Sequence, residues 1–172
     1  MKKLVVIAAT CALLGSTTAV LAAGDATAGK AKSATCAACH SPDGNSTNPQ
    51  YPKLAGQSAD YLVKQLQDYK SGARANPIMA GMVAPLSSQD MEDLAAYFAS
   101  QPIARSAADP ALAPVGEAIF RGGNLTSGVA ACMACHGAIG AGNPAARFPA
   151  LAGQHTDYVE AQLKAFRAME RA

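Results

Sequence analysis

Two pentapeptides of one pattern carry the chemistry of this 172-residue chain: Cys-Ala-Ala-Cys-His at residues 36–40 and Cys-Met-Ala-Cys-His at residues 132–136. Cysteines three residues apart lie on one face of a helical turn, so both thiols can reach the two vinyl groups of one porphyrin. The histidine that follows can turn its ring under the porphyrin and ligate the iron. Two copies of this attachment signature predict two haem c groups. The predicted thioether residues are Cys36, Cys39, Cys132 and Cys135, and the predicted iron ligands are His40 and His136.

The Cys-x-x-Cys part alone has other uses, namely a zinc knuckle, a thioredoxin-like redox pair or a short disulfide. A four-ligand zinc site made from both pairs, 93 residues apart from Cys39 to Cys132, would leave both histidines redundant. A thioredoxin-like pair would lie beside a βαβ pattern, and no strand-rich stretch is visible in the sequence. Two copies in an exported chain therefore favour haem attachment.

The N-terminus predicts export. A basic start at residues 1–3 precedes an uncharged stretch rich in Ala, Leu and Val at residues 4–21, which ends in a small-residue site. A membrane anchor is the competing interpretation, because the apolar stretch is nearly long enough to span a bilayer. Threonine, serine and glycine residues lower the hydrophobicity of this stretch, so residues 1–22 are predicted to be a signal peptide cleaved after Ala22. Cys11 would leave with the signal.

Charge gives no support for nucleic-acid binding. The chain has 14 basic and 12 acidic residues, and removal of Lys2 and Lys3 with the signal leaves the two counts equal. The propionates of two haems would make the holoprotein mildly acidic. Apart from the predicted haems, the sequence shows no nucleophile–base pair, phosphate loop or carboxylate cluster, so an enzyme is not predicted.

An internal repeat divides the mature chain. The two pentapeptides align at an offset of 96, and Pro-Lys-Leu-Ala-Gly-Gln at 52–57 aligns with Pro-Ala-Leu-Ala-Gly-Gln at 149–154 at an offset of 97. This tandem duplication predicts two domains. We call residues 23–101 unit one and residues 115–172 unit two. The proline-containing stretch at 102–114 is the predicted linker.

Within the units the local signals are helical, which predicts an all-α fold. Ser58 and Ser87 precede stretches of helical apolar spacing, Asp90 lies at a capping-box position, and Gly72 marks a helix end. Thr156 opens a helix in unit two. The predicted core residues are Tyr61, Leu62, Leu66, Tyr69, Leu94, Tyr97 and Phe98. Without tryptophan each unit has a thin core, to which a haem would add apolar surface.

The second axial ligand of haem 1 is expected to be a methionine, because His155 is the only histidine outside the motifs. Residues 76–85 are predicted to form a proline-bounded loop between two helices, and this loop offers both Met79 and Met82. Met91 lies on the following helix and is expected to serve packing. The spacing alone leaves Met79 and Met82 open.

These motifs together make the chain resemble the dihaem cytochrome c4 family, whose members carry two cytochrome c domains in tandem. The resemblance covers essentially the whole mature sequence. It rests on Gly-Asp at 24–25, both pentapeptides, Asp-Gly-Asn at 43–45, Pro-Lys-Leu-Ala-Gly-Gln at 52–57, Tyr-Leu-Val-Lys-Gln-Leu at 61–66, Met-Ala-Gly at 79–81 with Leu-Ser at 86–87, Phe-Arg-Gly-Gly at 120–123 and Gly-Gln-His at 153–155.

The resemblance implies residue roles. It selects Met79 as the axial ligand of haem 1 and leaves Met82 to packing. It places the carbonyl of Pro52 behind His40 and that of Pro149 behind His136, as acceptors for the imidazole Nδ1 proton. It gives His155 no role as an iron ligand.

The resemblance also implies a function and a place. Such a protein lies in the periplasm of a Gram-negative-type bacterium and carries electrons on its haems. It takes them from a membrane quinol-oxidising cytochrome complex and passes them to a terminal oxidase, and peripheral association with the membrane is compatible with that role.

Unit two is predicted to be incomplete. The offset of 97 places its axial methionine at position 176 and would add a terminal helix equivalent to residues 87–101, whereas the sequence ends at Ala172. Met169, in the same predicted helical run as Phe166, and Met133, inside the attachment motif, are poor substitutes. We expect a fragment or an early stop. In a natural short form, the alternative function is a haem protein whose open second iron binds or reduces a small ligand such as peroxide or nitric oxide.

Overall fold

The computed structural model describes residues 24–105 and 107–171, which form eight α-helices and one short 3-10 helix. The helices are α1 (Ala26–Lys32), α2 (Ala34–His40), α3 (Ala59–Ser71), α4 (Pro77–Val83), α5 (Ser88–Ala99), α6 (Ala113–Gly122), α7 (Met133–His136) and α8 (Thr156–Arg167), and the 3-10 helix is Pro144–Ala146. β-structure in these ranges is limited to two isolated antiparallel bridges. The predicted all-α fold is confirmed. The predicted signal peptide lies outside the described residues.

Unit one is built around the crossing of α1 and α3 with α5. Leu62 of α3 packs against Leu94, Tyr97 and Phe98 of α5 in the buried core, as the apolar spacing predicts. Full burial of a side chain of this size stabilises the fold by about 1.5–3 kcal/mol. The approach of α1 to α5 requires Gly29, because a Cβ there would lie 1.9 Å from the carbonyl oxygen of Asp93.

The helix ends of unit one follow most of the predicted signals. The Ser87 hydroxyl accepts from the Asp90 N–H at 3.1 Å and the Asp90 carboxylate accepts from the Ser87 N–H at 2.9 Å, so the predicted capping box is present. Gly72 ends α3 with φ of +81°. Ser58 occupies the N-cap position of α3, but its side chain makes no capping bond. Its N–H donates instead to the Gln57 side chain.

An ion cluster joins α1 to α5. The Lys32 ammonium lies 2.6 Å from Asp90 and 2.7 Å from Asp93, and the Asp93 side chain is only 4% exposed. The Asp93 carboxylate also accepts from the Asp25 N–H and the Gln89 side chain. The Lys32 hydrogen bond is the largest cause that lowers the pKa of Asp93 to about 2, and it also lowers the pKa of Asp90. These bonds stabilise the charged carboxylates of the folded state.

The cluster predicts acid sensitivity of unit one. Because the folded pKa of Asp93 lies below its ordinary value of 3.8, its stabilisation is complete above about pH 4 and is lost as the pH falls towards 2. Asp93→Asn is expected to lower the melting temperature at pH 6 and to flatten its decline between pH 4 and 2. Thermal unfolding followed by circular dichroism tests this, with exposed Asp60→Asn as the control. An unchanged slope in Asp93→Asn would contradict the assignment.

The prediction of a loop at residues 76–85 is wrong for most of its length, because residues 77–83 form helix α4. Pro77 lies in the first turn, where its missing N–H costs nothing. The Asn76 side chain caps the helix by accepting from the Met79 N–H at 3.0 Å. The proline therefore begins a helix instead of bounding a loop, and Met79 has a fixed direction.

Unit two comprises α6, α7, the 3-10 helix and α8, and within the described residues these helices contain no fully buried side chain. Several large apolar side chains of unit two are exposed: Val115, Ile119, Leu125, Val129, Ile139, Phe148, Leu163 and Phe166. Helix α8 ends at Arg167, so the predicted helical run through Met169 is wrong. Met169 follows the helix with φ of +57° and is 92% exposed.

The predicted linker touches both units. The Lys53 ammonium of unit one donates to the carbonyl of Ala104 at 2.5 Å, and the Asn45 side chain accepts from the Ala104 N–H at 2.7 Å. Ile103 lies against unit two, where a Cβ on Gly153 would lie 2.7 Å from its Cδ1 atom. Helix α6 starts at Ala113, two residues before the predicted start of unit two.

Across residues 24–105 and 107–171, the helices are all too short or too polar to span a bilayer.

Candidate haem sites

The attachment cysteines lie on helical turns, as their spacing requires. Helix α2 carries Cys36 and Cys39, while Cys132 and Cys135 lie at the start and within the single turn of α7. All four thiols are free of disulfides. Cys36 packs against the apolar core of unit one, and this burial raises the pKa of its thiol. Each pair thus keeps two thiols available on one helical face.

The His40 ring is held in the orientation that an iron ligand needs. It is 7% exposed, and its Nδ1 atom donates to the carbonyl oxygen of Pro52 at 2.8 Å. Desolvation lowers the pKa of His40, which favours the neutral imidazole. With the proton on Nδ1, the Nε2 lone pair is available for a metal. Tyr51 packs edge-on against the ring at a centroid distance of 6.3 Å.

Unit two repeats this arrangement. The Nδ1 atom of His136 donates to the carbonyl oxygen of Pro149 at 2.8 Å. Phe148 occupies the place of Tyr51, with a centroid distance of 5.9 Å and the same interplanar angle of 62°. Both predicted prolines therefore lie where the resemblance puts them, and the two rings have equivalent surroundings.

Among the methionines of unit one, burial favours Met79. It is partly buried and packs against the cluster of Tyr69, Val83 and Met91. Met82 points outwards with 48% of its surface exposed, while Met91 is fully buried in the core. Met79 is thus the methionine of unit one that contacts the apolar cluster while its side chain stays partly exposed.

Unit two offers no equivalent among residues 107–171. Met133 belongs to α7, inside the attachment motif, and Met169 is exposed beyond α8. The described part of unit two offers two thiols and one oriented imidazole for a second haem.

Two arginines that no sequence motif had indicated bind side chains of both α3 and α8. Arg74 is buried, and its guanidinium donates to Gln65 at 2.7 Å, to the Tyr158 hydroxyl at 2.9 Å and to Gln162 at 2.8 Å. It also lies 4.7 Å above the ring of Tyr69. Among the described residues, no carboxylate forms an ion pair with it.

Arg171 is its counterpart at the offset of 97. It donates to Gln162 at 2.6 Å, to the Tyr61 hydroxyl at 2.7 Å and to Gln65 at 3.0 Å. It lies 4.7 Å above the ring of Phe166. Within the described residues it too makes no ion pair with a carboxylate. Each arginine thus donates hydrogen bonds to side chains of both units.

These guanidinium groups fit the anionic edge of a haem. A guanidinium withdrawn from water and bonded only to neutral groups lacks the charge compensation that a carboxylate gives it. Haem propionates are carboxylates, and guanidinium binds carboxylates through paired hydrogen bonds. The cysteine pairs and the oriented imidazoles form a donor set that fits haem. Arg74 and Arg171 are chemically suited to bind carboxylates such as haem propionates.

His155 also has a role that its sequence position did not reveal. It is the N-cap residue of α8, and its Nε2 atom donates to the carbonyl oxygen of Ser46 in unit one at 2.8 Å. The ring therefore serves the contact between the units.

Comparison with known proteins agrees with this geometry. The family model described as cytochrome c matches residues 26–102 and 121–172. The cytochrome c4 of Pseudomonas aeruginosa is 53% identical over 154 residues, which cover 90% of this chain and 77% of that protein. The chain belongs to the cytochrome c4 family. The crystal structure of reduced recombinant cytochrome c4 from Pseudomonas stutzeri has a TM-score of 0.84 at 52% identity, covering 87% of this chain and 84% of that one.

Family membership confirms several predictions. The all-α fold with tandem cytochrome c domains is confirmed, as is covalently bound haem c, with two domains for two haems. The protein is a c-type cytochrome that carries electrons. A further relative, from Thiomonas intermedia, is described as a thiosulfate dehydrogenase electron acceptor. It is 40% identical over 148 residues, which cover 82% of this chain and 66% of that protein.

Proposed function

We propose that this protein is a periplasmic electron shuttle of a Gram-negative-type bacterium, taking electrons from a quinol-oxidising membrane complex and delivering them to a terminal oxidase. The observation that carries the proposal is the repeated imidazole arrangement: the Nδ1 bonds of His40 and His136 both measure 2.8 Å. A ring held in this way keeps one orientation whether the iron is ferric or ferrous, so the ligand reorganises little during electron transfer. The predicted signal peptide and the family support the periplasm.

For haem 1 we assign Cys36 and Cys39 as thioether residues and His40 with Met79 as axial ligands. The assignment of Met79 is supported by its partial burial beside an apolar cluster and by its fixed place on α4. Bound haem supplies a one-electron ferric/ferrous couple, and methionine opposite histidine raises its potential. If His40 and Met79 both held the iron, haem 1 would leave no position for a substrate.

For haem 2 we assign Cys132 and Cys135 as thioether residues and His136 as an axial ligand. We propose residues 23–101 and 115–172 as the two domains and residues 102–114 as the linker. Helix α6 begins at Ala113, two residues before this boundary. Pro52 and Pro149 are assigned as acceptors that orient the two imidazoles.

The donor has one competing class. Since a relative is described as a thiosulfate dehydrogenase electron acceptor, a dehydrogenase is the alternative to a quinol-oxidising complex. In either case the chain receives one electron per haem and passes it on. The two donors are distinguishable because only one of them needs quinol and a membrane.

A kinetic experiment tests the proposal. Oxidised holoprotein is mixed with membranes of its host and a quinol, and its haem absorbance is followed with and without an inhibitor of the quinol-oxidising complex. We expect fast reduction that the inhibitor abolishes, and oxidase-dependent reoxidation when oxygen is admitted. Reduction that needs thiosulfate and a soluble fraction, with none from quinol, would contradict the proposed donor. Carbon monoxide binding to the reduced protein would show an open iron and favour the alternative of a ligand-binding haem.

A further inference from the structure

A single peptide group connects the ligand of one haem to the other unit. The carbonyl of the Pro52–Lys53 peptide accepts from Nδ1 of His40 at 2.8 Å. The N–H of the same peptide, on Lys53, donates to Oε1 of Gln154 in unit two at 2.9 Å. A chain of two hydrogen bonds therefore runs from the His40 imidazole, through one peptide, to a side chain of unit two.

The reverse connection is also present. The carbonyl of the Pro149–Ala150 peptide accepts from Nδ1 of His136 at 2.8 Å. The N–H of that peptide donates to Oε1 of Gln57 in unit one at 2.9 Å. Gln57 and Gln154 are equivalent at the offset of 97, so each unit reaches the histidine-bonded peptide of the other with the same residue.

Both glutamines are fixed in orientation. The Nε2 atom of Gln57 donates to the carbonyl of Ala150 at 3.0 Å, and its Oε1 atom also accepts from the Ser58 N–H at 3.0 Å. Gln154 repeats this, donating to the carbonyl of Lys53 and accepting from the His155 N–H, again at 3.0 Å each. Reversing either amide would place NH₂ against two N–H donors, so the oxygen must face the peptide N–H.

A hydrogen-bond acceptor at a peptide N–H increases the acceptor strength of the carbonyl oxygen in the same peptide. Hydrogen bonds in a chain polarise one another, so a bonded N–H makes the carbonyl oxygen of the same peptide a stronger acceptor. A stronger acceptor on Nδ1 makes the imidazole more electron-donating, which stabilises ferric iron. The potential of a haem with this ligand is thereby lowered.

We propose that Gln57 and Gln154 act as crossed positioning residues: Gln154 of unit two tunes haem 1 through His40, and Gln57 of unit one tunes haem 2 through His136. The inference rests on the proposed function, since it requires both histidines to be iron ligands. It goes further by making each potential depend on the opposite unit.

Redox titration of full-length holoprotein variants tests the crossed pattern, with haem-methyl NMR resonances used to assign each potential to one haem. Gln154→Leu removes the acceptor for the Lys53 N–H and is expected to make haem 1 more positive while haem 2 stays unchanged. Gln57→Leu is expected to do the opposite. In the reduced protein the Nδ1 proton resonance of His40 should move upfield in Gln154→Leu, because its acceptor weakens.

His155→Ala is the matched control, since it removes the neighbouring contact to Ser46 between the units but leaves both peptide chains intact. We expect no shift of either potential in this variant. A shift in the haem of the mutated unit, equal shifts in both haems, no shift at all, or the same shift in His155→Ala would overturn the inference. A wild-type protein lacking two histidine-ligated, titrating irons would overturn the proposed function as well, whereas an uncrossed pattern in a normal wild type overturns the inference alone.

Discussion

Met79→Ala is expected to remove the near-infrared absorption band that marks methionine sulfur bonded to ferric haem iron, and to lower the potential of haem 1. Axial ligands set haem potentials over a range of about 0.8 V, so loss of the methionine is expected to shift the potential by on the order of 0.1 V or more. Water or an external ligand would then reach the iron. A visible and near-infrared spectrum with a redox titration measures both effects.

Met82→Ala is the control, because its side chain lies on the same helix three residues away and points outwards. It is expected to keep the band and the potential. If Met82→Ala removed the band and Met79→Ala kept it, the ligand assignment would be reversed. A band retained in both variants would exclude α4 as the source of the ligand.

Replacement of both Cys132 and Cys135 by alanine is expected to halve the covalently bound haem, from two groups to one, and to unfold most of unit two. The reason for the second effect is that the described helices of unit two contain no fully buried side chain, so haem is its main apolar partner. Intact mass and far-ultraviolet circular dichroism measure the two losses. Unit one should retain its core.

The corresponding variant of Cys36 and Cys39 provides the comparison. It is also expected to lose one haem, but less helix, because Leu62, Leu94 and Phe98 still pack together in unit one. Equal helix loss in the two double variants would contradict the different dependence of the units on haem. Two covalent haems remaining in either variant would contradict the attachment sites themselves.

Local signals in the sequence predicted the elements that depend on few residues. The capping box of α5 needs only Ser87 and Asp90, and the apolar spacing of α5 places Tyr97 and Phe98 on one face, so both were predictable. Helix α4 was missed because a proline was taken as a boundary, although a first-turn proline is compatible with a helix. Whether a proline begins a helix or bounds a loop depends on whether the preceding residue can cap the helix, as Asn76 does here.

The contacts between the units were not predictable from composition or spacing. Gln57, Gln154 and Arg74 are polar residues whose partners in the opposite unit lie more than 80 positions away in sequence, and nothing local distinguishes them from solvent-facing residues. The repeat contained a signal, because glutamine recurs at 57 and 154 and arginine at 74 and 171. Polar identity kept at equivalent positions of a duplication is what a symmetric contact requires.

The central claim is that this chain carries electrons on two covalently attached haems. The most direct test is a redox titration of the purified full-length holoprotein, followed in the visible spectrum, with intact mass to count the haems. We expect two covalent haems and two one-electron transitions, with haem 1 at the positive potential of histidine–methionine ligation. A chain without covalent haem, or a haem 1 at the low potential of bis-histidine ligation, would contradict it.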